Sequence, residues 1–222
     1  MSSNHRSRSS RSLAAQLRAI CWCTIIFAAA PGLAEDDSRG WLEKMAEAVE
    51  SLNYNGTLVY MRPGTAETFQ VFHRVAEGEV TERVIAMDGD GAEIIRTPSE
   101  VMCIFPALQK VVVDKRADKR GGQNPLRANL PAYDSSMDDY YQLGLERDAR
   151  LLGRAALIVT IKPIDGFRYE HRIWLDEQTA MPLKTQLIDD DENMPVEELF
   201  FTTISLADMV PAEAVRPSLD TE

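Results

Sequence analysis

The chain has 222 residues, 24 Lys and Arg against 35 Asp and Glu, and a formal net charge of −11. So acidic a chain repels nucleic acid and anionic membrane, which are held by clustered Lys and Arg, and it suits a partner with a basic surface. Of its 3 cysteines only Cys103 lies beyond the first 34 residues, so no internal disulfide is expected once that leader is removed.

Residues 1–34 read as a secretory signal peptide. Arg6, Arg8, Arg11 and Arg18 make a positive start without an acidic residue, and Ala19–Leu33 is apolar apart from Thr24. The small residues of Gly32-Leu33-Ala34 put the expected cut after Ala34. The apolar run is shorter than the about 20 residues of a spanning helix. Cys21 and Cys23 lack the Leu-small-small-Cys order of a lipoprotein signal. Cleavage leaves 188 residues with 20 basic and 35 acidic side chains, a net charge of −15, enough chain for one domain with a real core.

Trp41, Leu42, Met45, Ala48, Val49 and Leu52 recur at helical spacing, with Ser38 as the expected N-cap and Asn53 and Gly56 as the stop. Strand-like runs follow at Thr57–Met61, Thr68–Val75, Glu79–Met87, Glu93–Thr97, Glu100–Phe105 and Lys110–Asp114, separated by Pro63-Gly64, Gly78 and Asp88-Gly89-Asp90-Gly91. Lys115–Asn129 is basic, contains Gly121-Gly122 and Pro125, and reads as an exposed loop. Ser135–Leu143 reads as a short helix. Strands resume at Arg147–Leu152, Arg154–Lys162, Phe167–Leu175, Pro182–Ile188 and Val196–Leu206, and Asp208–Glu222 reads as a tail or the start of a linker.

The most telling of these runs is Phe167–Ile188. Phe167, Tyr169, His171, Ile173 and Leu175 alternate with Arg168, Glu170, Arg172, Trp174 and Asp176, the pattern of an antiparallel strand with one apolar and one charged face. About eleven strands and two helices imply an α+β, mostly β fold. The expected shape is one curved antiparallel sheet, an open half-barrel, with the helices packed on its concave side. Sheets of this size commonly enclose an apolar cavity.

Ser51-Leu52-Asn53-Tyr54-Asn55-Gly56-Thr57-Leu58-Val59-Tyr60 resembles the helix-to-strand entry of the MucB/RseB family of periplasmic envelope-stress regulators. Further matches follow in order: His73-Arg74, Glu82-Arg83-Val84, Met87-Asp88-Gly89, Glu93-Ile94-Ile95-Arg96 and Cys103-Ile104-Phe105-Pro106. Then come Leu152-Gly153-Arg154, Pro163–Tyr169, and Trp174-Leu175-Asp176 with Thr179. The resemblance runs from about Trp41 to Leu206. It implies a periplasmic location and a half-barrel domain over residues 35–207, similar to the lipoprotein carriers of the LolA/LolB type. It also implies a partner, the periplasmic segment of a membrane-spanning anti-sigma factor, which members shield from regulated proteolysis. Lipid or lipopolysaccharide is expected to release that partner, and members can self-associate. The family's smaller C-terminal domain is expected beyond a linker and is absent up to Glu222, as in a truncated product or a natural single-domain relative.

Inward-facing apolar side chains expected to line the cavity, or simply to form core, are Leu58, Tyr60, Phe69, Val71, Phe105, Ile173, Leu175, Leu187 and Phe200. Lys115, Arg116, Lys119 and Arg120 are the cations placed to hold an anionic headgroup, or to solvate a loop. His73 and His171, with no third histidine or cysteine partner, do not make a zinc site, and no metal or cofactor is expected. Asp88-Gly89-Asp90-Gly91 lacks the closing Glu of a calcium loop and reads as a hairpin turn. Asp189-Asp190-Asp191-Glu192-Asn193 reads as a solvated hairpin tip. Without a Gly-x-Ser-x-Gly elbow the chain reads as a binding protein, not an enzyme. A lipid or lipoprotein carrier of acyl chains is the alternative on the same fold.

Overall fold

A computed structural model describes residues 31–115, 125–131, 134–189 and 194–219. One amphipathic helix, α1 (Pro31–Ser51), leads directly into strand β1 (Asn53–Arg62). The chain then runs through β2 (Thr65–Ala76), β3 (Glu79–Ala86), β4 (Glu93–Arg96), β5 (Val101–Phe105) and β6 (Lys110–Asp114). A short helix α2 (Pro125–Ala128) precedes β7 (Tyr141–Leu151), β8 (Arg154–Pro163), β9 (Glu170–Asp176), β10 (Pro182–Asp189) and β11 (Met194–Ala207). All 11 strands form one sheet in the order β6-β5-β4-β3-β2-β1-β11-β10-β9-β8-β7. Each pairing is antiparallel, and β6 and β7 are unpaired edges, so the sheet stays open. The expected curved, mostly β architecture is what is found.

The topology follows from turn chemistry and one long-range seam. Glu77-Gly78 and Leu152-Gly153 both take positive φ at both residues, the two-residue turn whose twist matches paired strands. These turns join neighbours in sequence, while β1 and β11 close the seam between the two halves. Gly56, read as a helix stop, lies inside β1 at that seam. A Cβ there would stand 2.3 Å from the carbonyl oxygen of Thr203, so only glycine allows the two strands to pair so closely. Asn53, the other expected stop, starts β1. Its Oδ1 accepts from Val75 N at 2.9 Å and Val210 N at 3.4 Å, and its Nδ2 donates to Val75 O at 3.2 Å.

The helix stripe is as the spacing predicts, with Leu42, Met45, Ala48 and Val49 buried. Ser38 is not its cap. Ser38 is already helical and buried inside α1, which is described from Pro31 onward. Leu42 and Met45 pack on Leu157, Val159, Ile161, Ile173 and Leu175, and Val49 packs with Tyr54, Leu58, Val71, Leu199 and Phe201. One helix thus covers the concave face on both sides of the seam.

Three local readings are corrected. Ser135–Leu143 is not a helix: one 3-10 turn (Ser135–Met137) is followed by β7. Tyr141, Leu143 and Leu145 alternate inward against the β8 and β9 core, a period of two that overrides the capping signal. Within the basic loop, Pro125–Ala128 is helical and buries Leu126. Phe167 and Tyr169 lie outside β9 and are exposed. Asp165 Oδ1 accepts from Phe167 N at 3.0 Å, an Asx turn that bends this segment away from the strand.

Asp208–Glu222, expected as a tail or linker start, is described to Leu219 and lies along the outer face. Val210 and Val215 are buried, Arg74 Nε donates to Val210 O at 3.1 Å, and Leu219 packs on Ile95, Met102 and Ile104.

A β-bulge decides which phenylalanine of β11 enters the core. Thr57 faces Thr203, but Leu58 faces Phe201, so Thr202 is the extra residue. One extra residue exchanges the faces of everything beyond it. Phe201 is 1% exposed inside the core, and Phe200 points outward. Phe201→Ala is expected to cost about 3–5 kcal/mol, whereas Phe200→Ala should cost under about 1 kcal/mol; urea denaturation of the two variants reads this difference directly.

Candidate functional site in the concave interior

Among the described residues, side chains of α1 and α2 pack against the concave face. Leu58, Val71, Ile173 and Leu175 are fully buried there, and Tyr60 and Phe69 pack partly buried around them. Leu187 lines a pocket of about 40 Å³ with His171, Thr185, Leu199 and Asn129. That space holds a few waters, against the hundreds of Å³ of an ordinary ligand pocket. Six of the nine expected lining residues therefore share one packed interior, with Leu187 at its edge. Phe105 does not join them; it stands exposed at the end of β5. Phe200 does not join them either, because the bulge turns it to the outer face. There Lys184 Nζ lies 5.1 Å from the Trp174 ring centroid and 5.9 Å from that of Phe200.

Of the expected headgroup cations, Lys115 is exposed just after β6, and Arg116, Lys119 and Arg120 lie outside the described residues. So do residues 190–193 of the acidic tip. Asp88-Gly89-Asp90-Gly91 is a turn, as expected: Ala86 N donates to Ala92 O at 2.9 Å, and Asp88 Oδ2 accepts from Thr68 N at 2.6 Å. Two larger clefts lie outside the interior. One of about 330 Å³ separates α1 from the turn after β9, beside Trp41, Lys44, Glu177 and Thr179. The other, about 370 Å³, is on the outer face beside Glu146, Lys162, Arg172 and Trp174.

Sequence reasoning missed two parts of the interior. Leu126, within the segment read as a loop, and Leu130 just after it plug the interior; Pro125 at the first helical position and the four-residue spacing of the leucines are the available signal. The second is a buried polar row at the end of α1. His73 is fully buried, stacked on Tyr54 with ring centroids 4.7 Å apart. Its Nδ1 lies 2.7 Å from Leu52 O. A carbonyl only accepts, so this nitrogen carries the proton and donates. Nε2 then faces Glu82 Oε1 at 3.6 Å without a hydrogen-bond partner among the described residues. Arg96 Nε stands 3.4 Å from the other Glu82 oxygen. Nε2 and the Glu82 carboxyl thus face one another at a buried corner.

Asp176 explains another of the family-like motifs. Its Oδ1 accepts from Gln178 N, Thr179 N and Thr179 Oγ1 at 3.1, 3.0 and 2.9 Å, and its Oδ2 accepts from Arg154 Nε at 2.6 Å. Burial pushes its pKa up, but Arg154 and Thr179 outweigh this and hold it below the ordinary value. Trp174-Leu175-Asp176 with Thr179 is therefore a turn-building device.

The model of the MucB/RseB N-terminal domain matches residues 37–219. The chain belongs to the MucB/RseB family. The sigma factor AlgU regulatory protein MucB of Pseudomonas aeruginosa is 32% identical over 186 residues, covering 83% of this chain and 55% of MucB. The sigma-E factor regulatory protein RseB of Haemophilus influenzae is 28% identical, covering 67% of this chain and 46% of RseB. The chain thus spans about half the length of these relatives. The crystal structure of MucB in complex with MucA(peri) superimposes with a TM-score of 0.64 at 28% identity, over 82% of this chain and 60% of MucB. A conserved protein from Thermus thermophilus, 13% identical with a TM-score of 0.53 over 82% of this chain and 95% of its own, shares the fold.

Burial pushes the pKa of His73 below the ordinary 6.5, with Glu82 opposing, and burial does the same to His171. Both imidazoles stay neutral in the folded chain while the unfolded chain takes up protons, so acid favours unfolding from 6.5 down to the folded values. The urea midpoint is expected to hold above about pH 7 and to fall toward about pH 5. Replacing both histidines with Gln should flatten that slope; an unchanged slope would assign it to other groups.

Proposed function

We propose that this chain is a non-enzymatic periplasmic regulator. It binds the periplasmic segment of a membrane-spanning anti-sigma factor and shields that segment from regulated proteolysis. The observation that carries this reading is the family match over residues 37–219, together with a MucB relative crystallised with MucA(peri). The leader pattern of residues 1–34 supports export to the periplasm.

Lipid or lipopolysaccharide is the releasing signal in this reading. The packed interior makes a specific demand on it. In this reading an acyl chain, too large for the space of about 40 Å³ beside Leu187 and Leu199, takes the place of α1 or α2 on the concave face. Lipid then favours a state in which the helices have moved, and it shifts the partner only if the two states bind that partner unequally.

Protease protection tests both halves. The mature chain is mixed with the anti-sigma factor's periplasmic segment and its first-acting protease, with and without lipopolysaccharide. Slower cleavage that lipopolysaccharide restores is the expected result. Protection that lipid leaves untouched would remove the sensing half. Cleavage as fast with the chain as without it, at saturating concentration, would overturn the regulator reading for this chain.

A further inference from the structure

Most of the exposed large apolar side chains among the described residues lie at one end of the sheet, with Val112, Val113, Leu152 and Met209 elsewhere. Hairpin tips are ordinarily Gly, Pro, Asn, Asp and Ser. Here every tip at one end also carries a large apolar side chain: Met61 at β1–β2, Met87 at β3–β4, Leu108 at β5–β6, Phe167 at β8–β9 and Met194 at β10–β11. Phe167 is 95% exposed and Leu108 68%. The strand order sets these tips side by side along one rim, about 10 Å from hairpin to hairpin. The opposite end is an internal control. Its turns, at Glu77-Gly78, Thr97–Glu100, Leu152-Gly153 and Glu177–Thr179, expose only Leu152 among the described large apolar residues, with Met209 just beyond β11. Nothing in the fold requires the difference, since the rim side chains pack on no core.

Charge selects the partner. Asp88 and Asp90 follow Met87, Asp139 adjoins the rim beside β7, and Asp189 ends β10. Arg168 is ion-paired with Asp165, and Arg62, Lys110 and Lys162 are the other cations at this end among the described residues. With a chain charge of −11, this rim disfavours an anionic bilayer and favours a cationic segment. Three of the five tip residues named are methionines, whose flexible thioethers adapt to varied apolar partners.

We infer that this rim is a docking surface for a protein segment that presents apolar anchors between Lys and Arg residues. The inference deepens the regulator reading by giving the bound segment a chemistry and a place on the domain, and it rests on that reading only for the segment's identity.

The test uses the mature chain, a labelled peptide of Leu and Lys at helical spacing, and the anti-sigma factor's periplasmic segment as a second probe. Fluorescence anisotropy should show peptide binding that weakens with salt. The combined variant Met87→Ser, Leu108→Ser, Phe167→Ser should bind about tenfold more weakly with an unchanged melting temperature. Leu152→Ser with Met209→Ser should bind as the parent does. Equal peptide binding by the rim variant would overturn the inference. So would binding of neutral phosphatidylcholine vesicles without binding of the peptide, or a rim variant that only converts a dimer of this chain to monomer. The second probe separates the two readings. If the parent protects the segment and the rim variant protects it equally, the rim inference fails and the regulator stands. If the rim variant loses the peptide and the parent gives no protection, the rim stands and the regulator reading fails.

Discussion

The fold depends on what fills the concave face. A sheet of eleven strands with an apolar inner face is insoluble alone, and α1 supplies most of the cover among the described residues. Leu42, Met45, Ala48 and Val49 form one stripe, and that stripe meets both the β8–β9 core and the β1–β2–β11 core. Each large buried side chain contributes roughly 1.5–3 kcal/mol. Intrinsic propensity works against this helix, since Gly40 within it costs about 1 kcal/mol. Packing therefore holds α1. The ion pairs that tie it outward, Arg39–Asp138 and Arg127–Glu50 at 3.0 and 2.6 Å, are part exposed and add little. The same side chains of the concave face that hold α1 are the ones an apolar ligand there would meet.

The end of α1 is where the interior turns polar. Leu52, the first residue past the helix, gives its carbonyl to His73, and Asn53 ties β1 to β2 and to the segment after β11. The helix end, the histidine and the outer segment thus share one junction. A buried imidazole with one nitrogen satisfied and the other facing a carboxylate is costly to keep neutral and costly to charge. Such a corner contributes little net stability, but it fixes the direction in which α1 leaves the sheet.

Most strands and the helix stripe are legible because they rest on periodicity and turn residues, whereas the β1–β11 seam and the separation of β6 from β7 are long-range pairings that the pattern does not carry. Lys110–Asp114 was read with its observed bounds, and the other strands differed mainly at their ends. The errors have a common origin in effects that pattern does not carry. The bulge at Thr202 is a pairing event between strands far apart in sequence, so alternation alone assigned Phe200 to the interior and left Phe201 out. Ser135–Leu143 carried a capping signal that local hydrogen bonds honour for a single turn before strand pairing takes over. Leu126 was hidden by the Gly-Gly and Pro around it. A dry core and a cavity wall have the same sequence, so whether Leu58, Val71, Ile173 and Leu175 faced a void or a helix was decided only by packing.

The two ends of the sheet are built from the same turn chemistry, yet they treat water differently. At one end α1 enters β1, β11 leaves toward the outer segment, and the turns are polar. At the other end each hairpin exposes a Met, Leu or Phe at or beside its tip among the described residues. Turn formation does not need those side chains, and the core does not touch them. A strong net charge of one sign opposes the association of copies through such a rim. The same charge makes the rim selective: it lowers the affinity of acidic partners and of this chain for itself, and it leaves cationic segments as the partners for which apolar contact and electrostatics act together.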